Sequence, residues 1–272
     1  MPLLRDAALT AAFDRGAGRY DRLVALNPGY HAQLRRSARR LRLPDGGAGR
    51  RVLDLGCGTG ASTAALAAVL PAAEIVGVDA SAGMLERARA KRWPDRVSFV
   101  HAPAEELGRA GVHGPFDAVL AAYLFRNLTG PDAVLRAVRD LLAPGGRLAV
   151  HEYALGGRRA DRLVWNAVCR GVILPLGSAT GDRALYRHLW RSVAAFDTAP
   201  AFAARLRRAG FETCGCCRCP AGRPASPTPS SAAGPPVGRA VRDERAGRAA
   251  ASGPGPAGAG APGPAGAGAG GR

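Results

Sequence analysis

The chain has 272 residues, 47 % hydrophobic, which allows one large domain, or one domain with an extension, around a sizeable core. No apolar run nears the ~18–20 residues needed to span a bilayer, and the opening Met1-Pro2-Leu3-Leu4-Arg5-Asp6 is not followed by a signal-type apolar core, so the expected location is the cytoplasm. The formal charge of +17 invites a nucleic-acid reading, but of the 38 basic residues only Lys91 is lysine, and 37 glycines accompany the arginines, the mark of a GC-rich coding sequence. No basic block is interleaved with aromatics, so nucleic acid is not expected as a partner. Weak attraction to anionic headgroups, with Arg35-Arg36-Ser37-Ala38-Arg39-Arg40 contributing, is the more modest expectation of peripheral membrane contact.

Residues Ala7 to Leu43 carry apolar side chains at helical spacing, broken at Asn27-Pro28-Gly29 and ended by Pro44-Asp45-Gly46-Gly47. Val52-Leu53-Asp54-Leu55-Gly56-Cys57-Gly58-Thr59-Gly60 then reads as a strand breaking into a glycine turn, with a helix from Ala61 to Leu70 behind it. Glu74 to Asp79 is a second strand, and Ser81 is placed to cap a helix running to Lys91. Val97–Val100, Phe116–Ala121 and Arg147–Tyr153 are further strands. Pro131 to Leu142 is a helix with proline in its first turn, stopped by Pro144-Gly145-Gly146. Strands alternating with helices imply an α/β fold, a Rossmann-like parallel sheet covered on both faces. Leu155 to Ala209 reads as helical, interrupted by Pro175, Gly177 and Gly181. From Cys214 the hydrophobic periodicity is lost, and the end from Ala249 is nearly all Gly, Ala and Pro, which cannot bury enough apolar surface to order itself. The expected organisation is a helical N-terminal segment (1–45), a ligand-binding α/β domain (46–213, with 155–209 as a helical lid) and a tail (214–272).

Three alternate glycines at a strand-to-helix turn let backbone approach a ligand and leave free N–H groups at the helix start. Taken alone the turn is a weak signal, whose competing reading is a tight connection with no ligand. Asp79, ending the second strand 25 residues after Asp54, can accept hydrogen bonds from both hydroxyls of a ribose; its competing reading is a helix cap. Met84, one turn onward, is placed to pack on a base, or is plain core. The glycines lack the spacing of the G-x-G-x-x-G dinucleotide fingerprint, which weakens an NAD reading. His101, His113, His151 and His188 show no metal-ligand spacing and read as surface or core residues.

Asp54-Leu55-Gly56-Cys57-Gly58-Thr59-Gly60, the acid at Asp79, Phe116-Asp117-Ala118-Val119 and Leu142-Ala143-Pro144-Gly145-Gly146 resemble the class I S-adenosylmethionine (SAM) methyltransferases. More narrowly, Tyr20-Asp21 with Gly29-Tyr30-His31, then Arg126-Asn127-Leu128, then Leu185 to Val193 with Phe196 and Ala209-Gly210-Phe211, resemble the ubiquinone/menaquinone-biosynthesis C-methyltransferases. The resemblance spans roughly residues 13–212. It implies SAM as cofactor, with Tyr20, Asp54, Gly56, Gly58, Gly60, Thr63, Asp79, Met84, Pro103, Ala104 and Ala122 at cofactor positions. Pro103 departs from the family's Asp or Asn and brings no side-chain acceptor, so a contact there must come from backbone such as the Ala104 N–H. The implied acceptor is a prenylated quinone precursor of the demethylmenaquinol type, with the N-terminal helices and 155–209 as an apolar lid. Other small aromatic or polyketide-like acceptors, and a non-catalytic SAM-binding protein, are the alternatives.

A sulfonium methyl is displaced in line, so the protein mainly supplies proximity and orientation. Methylating a ring carbon needs an adjacent hydroxyl to ionise. Arg126 stays protonated and cannot be the base. It is expected to stabilise the developing phenolate oxygen, with Asn127 orienting the same oxygen and water or His31 taking the proton. The competing reading makes Arg126 a structural partner of an acid such as Asp117.

Cys214, Cys216, Cys217 and Cys219 fall within six residues, too close for the two separated pairs of a structural zinc site, so no metal is expected. A class I domain would continue after Phe211 with two antiparallel edge strands, which the sequence does not display. Cysteine codons begin T-G, and a one-base shift turns a run of them into valine and leucine codons. With permitted GC-rich codons the shifted frame can read strand, Pro-Gly-Trp loop and strand, so we expect a frameshift near Glu212–Cys214 and a missing final hairpin.

Overall fold

The computed structural model describes residues 3–25, 29–179, 183–216 and 228–233, all within one unit, Met1–Val237. Two helices open the chain, α1 (Asp6–Ala25) and α2 (Tyr30–Arg39). The break expected at Asn27-Pro28 lies outside the described residues, while Gly29 holds φ +88° directly before α2. A short 3-10 turn (Asp45–Gly47) leads into β1 (Arg51–Leu55), α3 (Ala61–Val69), β2 (Glu74–Asp79), α4 (Ala82–Arg89), β3 (Val97–His101) and β4 (Phe116–Ala122). Then come α5 (Pro131–Leu141), β5 (Leu142–Glu152) and the helices α6 (Arg159–Val168), α7 (Leu174–Ala179), α8 (Arg183–Ala195) and α9 (Ala199–Arg208). A π turn, Cys169–Ile173, joins α6 to α7 immediately ahead of Pro175, which has no N–H to donate.

The strand order is β3-β2-β1-β4-β5, all parallel. The chain runs outward from β1 to β3 and returns to β4 on the other side of β1, so the order reverses at β1, where the carboxyl ends open a ligand crevice. Both sheet faces are covered, which is why the strands read as near-continuous apolar runs. Along β1, Val52 packs into one core cluster with Leu66, Ile75 and Leu120, while Leu53 and Leu55 pack into the other with Val119, Phe125, Leu148 and Phe211.

The strand that the sequence starts at Arg147 begins at Leu142, with a register irregularity between Phe116 and Ala118 that absorbs Pro144-Gly145-Gly146. The larger difference is at the far edge. Where the sequence shows no final hairpin, β6 (Thr213–Cys216) and β7 (Thr228–Ala233) extend the sheet, β7 antiparallel to β5 and β6 antiparallel to β7. Strand pairing is made by backbone groups, so a segment without alternating apolar side chains still completes a ladder. Cys217, Cys219 and the Gly/Ala/Pro-rich end lie outside the described residues.

Candidate active site

A cavity of about 270 Å³ opens at the carboxyl ends of β1, β2 and β4. Its floor is the turn after β1, where Gly56, Gly58 and Gly60 all hold positive φ (+76°, +55° and +88°). Only Gly56 and Gly58 face the cavity. A Cβ on Gly58 would meet open space, whereas one on Gly60 would stand 2.7 Å from the Trp93 ring. Gly58 is therefore glycine at a ligand-facing position and Gly60 at a packing position.

Asp54 sits fully buried beneath this turn. Its Oδ2 accepts from the Ser62 (2.8 Å) and Thr63 (2.6 Å) hydroxyls, and its Oδ1 has no hydrogen-bond partner among the described residues. Burial raises its pKa to about 7, against the two hydroxyls, which lower it. Asp54 and Thr63 thus build the turn from below and do not line the cavity.

Asp79, at the end of β2, does line it. Its Oδ2 accepts from Gly58 N and its Oδ1 from Ser81 N, each at 2.8 Å. The competing reading of Asp79 as a helix cap fails, because Ser81 is the N-cap and its hydroxyl accepts from Met84 N at 3.1 Å. Burial pushes the Asp79 carboxyl above its ordinary range, although both backbone N–H groups favour the ionised form. Met84, Pro103 and Ala104 line the cavity beside it, and Ala122 and Tyr20 line it from β4 and α1. Asp79 and Ala122 flank β1 on either side, two strand spacings or roughly 10 Å apart.

Beyond Ala122 the 3-10 turn Phe125–Asn127 carries Arg126 and Asn127 into the cavity wall. Phe125 anchors the turn, buried edge-to-face on Phe202. Arg126 Nη1 meets Glu152 Oε2 at 2.6 Å, with both side chains buried. Glu152 ends β5, the neighbour of β4, which brings the pair together. Burial alone would lower the Arg126 pKa; Glu152 more than offsets this and leaves it raised. The guanidinium lies over the rings of Tyr123 (5.4 Å) and Tyr153 (5.8 Å), and its Nε has no partner among the described residues. Asp117, the acid that the sequence offers Arg126, instead pairs Arg50 at 2.8 Å and accepts from Arg51 N.

Asn127 donates from Nδ2 to Tyr123 O (3.0 Å), so its Oδ1 faces His188 Nε2 at 3.0 Å. That oxygen can only accept, which makes Nε2 the protonated nitrogen of His188. Burial, with Arg126 and Arg5 nearby, lowers the His188 pKa to about 4 and keeps it neutral. His31 is not brought to the cavity; it is exposed and set edge-on to Tyr30. Of the residues singled out by sequence, the cavity therefore collects Tyr20, Gly56, Gly58, Asp79, Met84, Pro103, Ala104, Ala122, Arg126 and Asn127.

Sequence reasoning missed four contributors. Glu152 holds Arg126. His188 fixes Asn127 from the 155–209 segment. His151, fully buried, bridges Ser37 Oγ (2.8 Å) and Tyr123 Oη (3.1 Å), its pKa lowered to about 3 by burial, Arg40 and Arg126. Asp14 ties α1 across the cavity by accepting from Ser81 Oγ (2.5 Å) and Gly83 N (2.9 Å). None of the four has a local sequence signal, since each acts through a neighbour distant in the chain.

A glycine turn under a cavity, an acid at the end of the next strand and a parallel sheet with an antiparallel edge hairpin define a class I methyltransferase. Residues 52–146 match the family model described as a methyltransferase domain. The chain is 36 % identical over 200 residues to the demethylmenaquinone methyltransferase of Thermus thermophilus, covering 73 % of this chain and 90 % of that one. It is 36 % identical over 202 residues to the ubiquinone/menaquinone biosynthesis C-methyltransferase of Syntrophotalea carbinolica, covering 73 % and 84 %. Among solved structures, a SAM-dependent methyltransferase of Thermotoga maritima shares the fold, with a TM-score of 0.55 at 19 % identity over 83 % of this chain and 99 % of that one. The chain belongs to the ubiquinone/menaquinone-biosynthesis C-methyltransferase family and is a SAM-dependent methyltransferase.

Proposed function

We propose that the chain methylates a ring carbon of a prenylated quinol of the demethylmenaquinol type, with SAM as methyl donor. The residues fit that cofactor: the cavity-facing Gly58 leaves room that any side chain would fill, and Asp79 keeps lone pairs beyond the two that tie down the turn. In this reading Asp79 holds the ribose hydroxyls, Met84 and the Ala104 backbone hold the adenine, and Gly56, Gly58 and Tyr20 hold the amino-acid end. When bound, SAM supplies an electrophilic methyl on a positively charged sulfur.

The observation that carries the acceptor reading is Arg126, a buried guanidinium in the cavity wall with an unpartnered Nε–H. Pinned by Glu152 and two aromatic faces, it offers a fixed donor to an acceptor hydroxyl and favours its ionised form. Each unit by which it lowers that hydroxyl's pKa contributes about 1.36 kcal/mol. Asn127, held by His188 and the Tyr123 carbonyl, keeps one amide hydrogen for the same oxygen. With His31 outside the cavity, water takes the proton. A prenylated acceptor partitions into lipid, so peripheral contact with an anionic membrane belongs to this reading, favoured by the +17 charge.

The test is incubation with SAM and demethylmenaquinol, read by mass spectrometry, beside calorimetry with SAM alone. The expected result is micromolar-range SAM binding and a quinol heavier by one methyl. SAM binding with no mass gain removes the quinol, and absence of SAM binding removes the whole reading.

A further inference from the structure

The exposed large apolar side chains among the described residues are Leu163 (69 %), Val164 (51 %) and Val172 (53 %). All three belong to one continuous stretch, α6 and the π turn that extends it. The opposite face of this stretch is satisfied: Trp165 and Cys169 are buried with Val193 of α8, and Trp165 Nε1 donates to Trp190 O. At 100° per residue Leu163 stands about 200° from Trp165, pointing away from the protein. Val164 stands about 100° from Leu163 on the outward side, and Val172, eight residues on, falls about 80° further at the same pitch, an offset that the wider π turn reduces, so the three form a broad outward arc. A monomer has no internal use for such a face, and apolar side chains grouped on a surface mark a place of contact.

Charge says with what. Over residues 158–173 the cations are Arg158, Arg159, Arg162 and Arg170, all exposed, and the acid is Asp161, whose Oδ2 already accepts from Arg158 N. Arg170 lays its guanidinium over the Trp190 ring at 5.3 Å. An aliphatic stripe rimmed by arginines is the pattern of a helix lying in the headgroup region of a bilayer, apolar side chains down and cations among anionic headgroups. A second copy of this chain would bring the same arginines and the same +17 charge against them.

We propose that the outward side of α6 and its π turn, bearing Leu163, Val164 and Val172, docks on an anionic lipid surface. Its purpose rests on the quinol reading above, since a prenylated acceptor must be collected from lipid. The helix that α6 packs on, α8, reaches the cavity wall through His188 and Asn127, so docking there sets the acceptor's entrance beside the bilayer.

The full chain is to be sedimented with phosphatidylcholine vesicles, with and without one third phosphatidylglycerol, and compared with Leu163→Glu/Val172→Glu and with Arg159→Ala/Arg162→Ala. SAM affinity by calorimetry and turnover on a short-tailed, water-soluble quinol serve as controls. The expected result is partition of the wild type onto the anionic vesicles, with each double variant lowering it by about tenfold or more. SAM affinity and soluble turnover stay unchanged while turnover on vesicle-borne quinol falls. Wild-type levels of partition in the glutamate variant overturn the proposed face. No partition of the wild type overturns the docking altogether. A dimer in sedimentation that the glutamate variant converts to monomer reassigns the face to contact between copies. Partition that depends on these residues, with no quinol methylated in any form, supports the surface and removes the acceptor.

Discussion

Arg126 is held by one short ion pair and two rings, so its removal has two separable effects. Arg126→Ala leaves Glu152 buried without its partner, a loss of about 3–5 kcal/mol for a broken buried pair. Arg126→Gln/Glu152→Gln removes both charges and is expected to recover much of that stability in thermal melts while turnover stays low, because no guanidinium faces the acceptor. Recovery of turnover along with stability would reduce Arg126 to a structural role. Asp54 allows a second test at this scale. Its folded-state pKa, about 7, lies above its ordinary 3.8, so the folded chain binds more protons than the unfolded one between those values. The ionised form is penalised in the fold, and this group's contribution to stability is lost as pH rises from about 4 through 7. Asp54→Asn keeps an oxygen for Ser62 and Thr63 but does not ionise. Its stability relative to the wild type is therefore expected to increase across that window, towards a ceiling of about 4 kcal/mol for three units at 1.36 each. A flat difference from pH 4 to 7 would mean that Asp54 titrates normally.

The glycine turn makes its own distinction at the level of the element. Gly60→Ala drives a Cβ into the Trp93 ring at φ +88° and is expected to cost about 1–3 kcal/mol in denaturant titrations. Gly58→Ala strains the backbone by about 1–2 kcal/mol but meets nothing in the protein. Its main effect is a loss of SAM affinity, tenfold or more by calorimetry, with the fold retained; unchanged affinity would move the cofactor off the turn. The same element shows what a sequence reveals. Asp79 was legible because a strand, an acid and a cap follow one another locally, and Ser81 resolved which of them caps the helix. Arg126 and Asn127 were legible through resemblance, but their partners were not. Glu152 lies 26 residues from Arg126, and His188 lies 61 from Asn127. Those pairings exist only because β5 lies beside β4 and α8 packs on the turn after β4. The hairpin β6–β7 was illegible for another reason: its segments pair by backbone and carry no apolar alternation.

For the whole molecule, the stretch after Glu212 poses a question that the gene answers directly. Nucleotide sequencing across Glu212–Cys214 is expected to show that the alternative frame encodes two alternating apolar strands around a Pro-Gly-Trp loop; an early stop codon in that frame would sink the frameshift. The catalytic half of the chain does not wait on that result. α1, 20 residues and about 30 Å long, crosses the cavity and contributes Tyr20 and Phe13 to its wall. It is fastened at both ends by side chains. Thr129 donates to Asp6 (2.9 Å) near its start, Asp14 holds the start of α4, and Asp21 near its end pairs Lys91 (2.8 Å) and accepts from Thr59 (2.5 Å). No strand hydrogen bond has to break for this strap to lift. To lift, it would have to release these carboxylate contacts together with the buried packing of Leu9, Ala12 and Ala17. On the proposed reading, with the donor in this cavity, α1 is the element that must give way before a spent donor can leave.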